Sequence, residues 1–161
     1  MMGEARVRTF GLHPLAALGV ALLLSACAAK PPPPASVAGT IQASAQVNPS
    51  VSKRPSPLLI RVYELKSVAA FNAADFMSLY QRDQAALGGD LIAKEEFVLE
   101  PGESKNFAKT LAPDTRFIGV VAAYRDLEHA KWRTAVPVQP NQPQKLTVKA
   151  GELAVEAAIG K

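Results

Sequence analysis

From Val37 onward the chain is a succession of short stretches in which apolar and polar residues alternate with period two. Prolines, glycines and clusters of polar residues break them at close intervals. Side chains alternate across a β-strand and recur every three to four residues on a helix, so this pattern excludes most helical folds. Val37, Gly39, Ile41, Ala43, Ala45 and Val47 share one face of a first strand over 37–47. A second covers 58–66, with Leu58, Ile60 and Val62 on one face and Leu59, Arg61, Tyr63 and Leu65 on the other. Apolar residues on both faces predict cover on each side. Further stretches follow at 93–100, 104–111, 116–124, 131–138, 145–149 and 153–159. Pro101-Gly102 supplies a type II turn that sets 104–111 as the hairpin partner of 93–100. The 116–124 stretch is almost wholly apolar and predicts a central strand. Pro137 puts 131–138 near an edge. The period changes only once, between the second and third strands. There Phe76, Leu79, Tyr80 and Leu87 form a core-facing stripe at helical spacing, Asn72 offers a cap with Asp75 near the helix start, and Gly88-Gly89 stops it. The region 68–71 predicts a preceding helical turn. The expected architecture is all-β: a two-sheet sandwich of about eight strands with a helical insertion at about 68–87.

The N-terminal segment is of another kind. Arg6 and Arg8 precede an apolar run that ends in Leu24-Ser25-Ala26-Cys27. This is the pattern of a secretory signal peptide, residues 1–26, ending in a bacterial lipobox. The run is roughly ten residues, short of the ~20 that span a bilayer as a helix. Cys27, the one cysteine, is then the lipid attachment point, and no thiol remains for disulfide or redox chemistry. Resemblance to bacterial lipoproteins, in which aspartate after the cysteine typically marks inner-membrane retention, implies from Ala28 a place at the outer membrane facing the periplasm. Residues 27–36 form a tether containing Pro31-Pro32-Pro33-Pro34, an extended spacer of roughly 25–30 Å; residues 37–161 form the domain. Cleavage before Cys27 removes 26 of 161 residues and leaves 135. Losing Arg6, Arg8 and Glu4 takes the 18 basic and 14 acidic residues to 16 and 13, net +3, too mild a charge to argue for nucleic acid.

Chemistry-bearing constellations are sparse. His129 is the sole histidine after residue 26, in the polar turn with Asp126 and Glu128, and reads as a solvated residue. Glu95 and Glu96 point to opposite strand faces, and Gly88-Gly89 makes no phosphate loop. No zinc or calcium pattern is present, so no cofactor or metal is expected. Arg125-Asp126 and Trp132-Arg133 are placed to neighbour each other in a hairpin, with the indole buried and the charges paired. The proline-bounded stretch 48–57 is too long for a tight hairpin turn and carries Lys53-Arg54 at its tip. From the residues alone it is either a solvated connection or an interaction site.

The order of these features resembles a known family. The blocks are 54–65, RPSPLLIRVYEL; 74–80, ADFMSLY; 119–126, GVVAAYRD; and Trp132-Arg133. Together they are similar to the type VI secretion outer-membrane lipoproteins, TssJ, over nearly all of the chain after the signal segment. The resemblance implies a transthyretin-like β-sandwich without enzymatic activity. It implies a partner, the periplasmic C-terminal domain of the inner-membrane protein TssM, bound through the loop between the first two strands. Here that loop holds Asn48, Pro49, Ser50, Val51, Ser52, Lys53, Arg54 and Pro55, with Val51, Lys53 and Arg54 as the foremost contacts. Two other readings are a pilotin-like lipoprotein of another secretion system and a transthyretin-like small-molecule binder or hydrolase.

Overall fold

The computed structural model describes residues 33–160. The signal segment, Cys27 and the first part of the tether lie outside the described residues. Eight strands form two four-stranded sheets. They are β1 (Ser36–Ala43), β2 (Leu58–Leu65), β3 (Leu91–Leu99), β4 (Ser104–Thr110), β5 (Phe117–Ala122), β6 (Arg133–Pro137), β7 (Pro143–Ala150) and β8 (Val155–Gly160). One sheet runs β4-β1-β7-β8, the other β3-β2-β5-β6. All neighbours are antiparallel except β1 and β7, which pair in parallel from Ser36↔Pro143 to Ala43↔Ala150. Strand β1 ends at Ala43, and Ala45 is exposed, so the expected strand through Val47 is cut short by a turn.

The sheets meet over one core. Val37, Ile41, Leu58, Ile60, Val62, Ile118, Val120, Leu146 and Val148 are among its buried members. The opposite face of β2 and β5 carries a second cluster, Tyr63, Leu65 and Val121, covered by the insertion through Phe71, Leu79 and Leu87. This explains the two apolar faces of β2 and the apolar run of β5. Gly119 lies beneath the insertion, where a Cβ would stand 2.9 Å from Leu65 Cδ1 and 3.1 Å from the Phe71 ring.

The insertion comprises α1 (Ala69–Ala73), α2 (Phe76–Leu87) and a 3-10 turn, Gly88–Asp90. Asn72 does not cap the main helix; it lies inside α1. The chain turns extended at Ala74, and Asp75 caps α2, accepting from Ser78 N–H (2.9 Å) and Ser78 Oγ (2.7 Å). Helix α2 breaks at Arg82, whose φ of −142° is not helical. Two arginines of the sheet hold the carbonyls that the helix ends release. Arg133 donates to Phe71 O and Ala74 O at 3.0 and 2.7 Å, and Arg61 to Leu79 O and Tyr80 O at 3.1 and 2.6 Å. Buried Asp83 anchors the break, 2.6 Å from Lys94 Nζ, with its Oδ1 accepting from Gln84 N–H. Burial pushes the Asp83 carboxyl up. Lys94, Gln84 N–H and Arg61 outweigh that and hold it below its ordinary value. Of the expected core stripe, Leu79 and Leu87 are buried; Tyr80 is not, but lies exposed under the Arg61 guanidinium, 4.9 Å from ring centre to carbon.

Two expected pairings are corrected. Strands β3 and β4 are not a hairpin: β3 pairs with β2 and β4 with β1, so the 100–103 turn crosses between sheets. That turn has Gly102 at φ +80°, as a type II turn requires. Arg125-Asp126 does not pair with Trp132-Arg133. Arg133 caps α1, and half-buried Trp132 packs edge-on against Phe76 at 5.3 Å, whereas Asp126 binds His129.

Both rims are closed. On β4, Lys105 and Lys109 turn toward the other sheet, Lys105 Nζ donating to Val98 O (2.7 Å) and Lys109 bridging Glu64 and Glu95 at 2.9 Å each. At the far rim Lys131 N–H donates to Leu153 O and Val155 N–H to Lys131 O.

Candidate interaction site

Strand β1 runs the length of the sandwich. Residues 33–35 lead into one end of it, and the 44–57 connection leaves from the other. The connection is an ordered finger rather than a loose excursion. At its root Val47 is buried and Val47 O accepts from Ser56 N–H at 3.1 Å. Further out, Ser50 N–H donates to Arg54 O (2.8 Å) and Lys53 N–H to Ser50 O (2.8 Å), while Arg54 N–H reaches Ser50 Oγ (3.2 Å). Lys53 takes φ +59°. This is the geometry of a three-residue reversal whose last residue is left-handed, a position that glycine usually fills. The tip presents Val51, at 106 % relative exposure, flanked by exposed Ser52, Lys53 and Arg54. The Val51 isopropyl group thus lies wholly in water beside two cations and takes no part in the core.

Within the expected site, the structure separates exposed residues from buried ones. Val51, Ser52, Lys53, Arg54 and Pro55 are exposed, and Pro49 and Ser50 are half-buried. Asn48 is 3 % exposed, too deep to touch a partner. Two other connections, unforeseen from the sequence, stand beside the finger. Arg125 and Asp126 come from the β5–β6 connection, and Glu152 and Leu153 from the β7–β8 connection. With Pro49, Val51 and Lys53 they wall a cleft of about 660 Å³. Tyr124 OH joins the two connections by donating to Gly151 O at 3.2 Å, and burial pushes its phenol up. No local pattern marks the cleft, because its walls are remote in sequence.

His129 sits on this rim, its side chain 72 % exposed, with Nδ1 2.9 Å from both Asp126 carboxylate oxygens. The hydrogen bond to Asp126 and its charge raise the imidazole above its ordinary value, and the same bond lowers the Asp126 carboxyl. The contact closes a turn in which Asp126 Oδ1 also accepts from His129 N–H at 3.2 Å. Among the described residues no group of three or more His, Cys, Asp or Glu is placed to hold a metal ion, and no helix is long and apolar enough to cross a membrane.

Comparison with known proteins gives a consistent picture. Residues 35–153 match the family described as type VI secretion lipoprotein, VasD, EvfM, TssJ. The fold is similar to the crystal structure of the type VI lipoprotein TssJ1 from Pseudomonas aeruginosa, at TM-score 0.77 and 39 % identity, over 80 % of this chain and 98 % of that one. It is similar to Serratia marcescens Lip, a membrane-bound component of the type VI secretion system, at TM-score 0.71 and 30 % identity, over 76 % and 96 % of the two chains. A chain of a type VI membrane complex matches at TM-score 0.66 and 26 % identity, over 76 % of this chain and 97 % of that one. A search of curated protein sequences gave no match.

Proposed function

The chain belongs to the type VI secretion lipoprotein family, and from that premise we propose that it is a non-enzymatic adaptor joining the outer membrane to the periplasmic C-terminal domain of TssM. In this reading Cys27 carries the acyl chains, which hold the protein on the periplasmic face of the outer membrane, and the finger between β1 and β2 engages TssM. Val51 makes the apolar contact; Lys53 and Arg54 meet acidic groups.

One observation carries the reading: the approach of the chain to β1 and the finger lie at opposite ends of a single strand. In this reading a tether that enters at one end of β1 leaves the finger at the other end for the partner. Eight strand residues at about 3.3 Å each put roughly 26 Å between the entry of the chain into β1 and the root of the finger. The hydrogen bonds within the finger reduce the ordering entropy lost when a partner binds. Membership in a family of type VI secretion lipoproteins, and the likeness to a chain of a type VI membrane complex, support the same reading.

The test is charge reversal at the tip. Lys53→Glu with Arg54→Glu lies outside every core contact, so the domain keeps its melting temperature. Binding to the TssM periplasmic domain, measured by calorimetry, is expected to be abolished. Unchanged affinity overturns the assignment of the finger. In cells, Cys27→Ser moves the protein from the membrane to the soluble periplasmic fraction; continued membrane retention overturns the anchor.

A further inference from the structure

We infer that Asn48 is the positioning residue of this site, holding the finger against the β5–β6 and β7–β8 connections in the posture that a partner meets. The inference rests on the proposed role of the finger.

Three bonds leave Asn48, each to a different segment. Its backbone N–H donates to Glu152 O at 3.1 Å, on the β7–β8 connection. Its Oδ1 accepts from Arg125 N–H at 2.8 Å, on the β5–β6 connection. Its Nδ2 donates to Pro57 O at 2.8 Å, where the finger returns to β2. The two ends of the finger are thus clipped together, and the clip is fastened to both neighbours. These are the segments that wall the 660 Å³ cleft, so Asn48 lies at the junction of its walls.

The residue type follows from the task. The position has φ +49° and precedes Pro49, where a residue is normally extended. Asparagine tolerates the left-handed region better than other side chains, and its amide offers a donor and an acceptor on one short stem. Aspartate lacks the donor, and glycine has the conformation without the bonds. Strain of this kind persists where the surroundings over-determine it. Since Asn48 is buried, any effect it has on binding must pass through the exposed residues it holds.

The experiment compares Asn48→Gly, Asn48→Asp and Val51→Asp in the full lipidated protein in detergent micelles, with the TssM periplasmic C-terminal domain as probe. Asn48→Gly keeps the backbone conformation and deletes both side-chain bonds; Asn48→Asp keeps the bond from Arg125 N–H. All are assayed well below their melting temperatures. The expected result is a loss of affinity of about tenfold for Asn48→Gly, from freeing the finger of two hydrogen bonds, and a smaller loss for Asn48→Asp. Faster amide exchange at Arg125 and Ser56 should accompany it. A merely structural role would lower the melting temperature and leave the affinity of folded protein unmoved, and that result overturns the inference. If Val51→Asp weakens binding while both Asn48 variants bind as wild type, positioning fails and the finger stands. If none of the three changes affinity, the finger itself is not the site. Should Asn48→Gly not fold, Asn48→Asp carries the same test: a loss supports positioning, and wild-type affinity with wild-type exchange at Ser56 overturns it.

Discussion

Removing the Glu64 carboxylate should destabilise the sandwich by about 3 kcal/mol, an amount its surroundings allow to be worked out. Glu64 is 4 % exposed and points from β2 into the space between the sheets. It accepts from Ala112 N–H (3.1 Å) and Thr115 Oγ1 (2.7 Å) and lies 2.9 Å from Lys109 Nζ on β4. Glu64→Ala orphans a buried hydroxyl, that of Thr115 at 2 % exposure, and an amide N–H. Hydrogen bonds to a charged group contribute about 1.5–3 kcal/mol each, and breaking a buried pair costs about 3–5 kcal/mol. Lys109 keeps its other partner, Glu95 at 2.9 Å, which places the loss at the lower end, near 3 kcal/mol. For a domain of this size that is a fall in melting temperature of about 12 °C. The pH dependence has a definite sign. Burial raises the Glu64 carboxyl, but Lys109, Ala112 N–H and Thr115 outweigh it and hold it below 4.5. A depressed carboxylate stabilises fully above its unfolded value and loses that contribution as pH falls through the folded one. The gap between wild type and variant, followed by circular dichroism in heat and urea, is therefore constant from pH 6 to 8 and narrows below 4.5. Pairing Glu64→Leu with Thr115→Val should recover part of the loss, because the orphaned hydroxyl is removed with its acceptor. A gap under about 1 kcal/mol at pH 7, or one that does not narrow in acid, would refute the reasoning.

Three further outcomes are expected. Gly119→Ala forces a methyl to within 2.9 Å of Leu65 and 3.1 Å of Phe71, and should cost about 1–3 kcal/mol by chemical denaturation while leaving the proposed TssM binding intact. Arg133→Met removes both hydrogen bonds from Nη1, to Phe71 O and Ala74 O, and should cost about 1–3 kcal/mol, with hydrogen exchange rising in residues 69–76 before the sheets. In an NMR titration His129 should protonate above its ordinary 6.5, and Asp126→Asn should bring it back down.

What the residues disclosed, and what they withheld, divides along range. Alternation at 58–65 and the apolar run at 117–122 are statements about burial on each face, and burial is what the sheets and the insertion provide. Pro137 closing edge strand β6 follows from its missing N–H. The 100–103 turn was legible as a reversal. Which sheet the next strand joins depends on Phe107 and Ser36 finding each other's strands across the fold, and no local residue encodes that. The parallel β1–β7 pair was hidden for the same reason. Asn72 and Asp75 are both capping residues three positions apart, and the choice between them was made by the extended Ala74 and by Arg133, which comes from a strand remote in sequence. The finger was visible as a proline-bounded stretch with Lys53-Arg54 at its tip. The burial of Asn48 was not, because it needs Arg125 and Glu152 in place.

The route by which the fold would transmit force follows from the position of β1. Under the proposed function, tension between the membrane and TssM enters the domain at the start of β1 and leaves through the finger at its end. Strand β1 is interior, paired with β4 from Ser36↔Thr110 to Gln42↔Ser104 and with β7 from Ser36↔Pro143 to Ala43↔Ala150. Its hydrogen bonds stand across the strand axis, so a pull along the axis loads both ladders in shear and all their bonds together. Were the tether and the finger at one end, the same pull would unzip the bonds one after another. The fit against β7 is close enough that a Cβ on Gly39 would lie 1.7 Å from Leu146 O. Beyond the strand the load meets Asn48, whose bonds spread it from the finger to the β5–β6 and β7–β8 connections, and so to both sheets. A sandwich with an interior strand running from anchor to contact therefore serves an adaptor in a way that an active-site scaffold would not require.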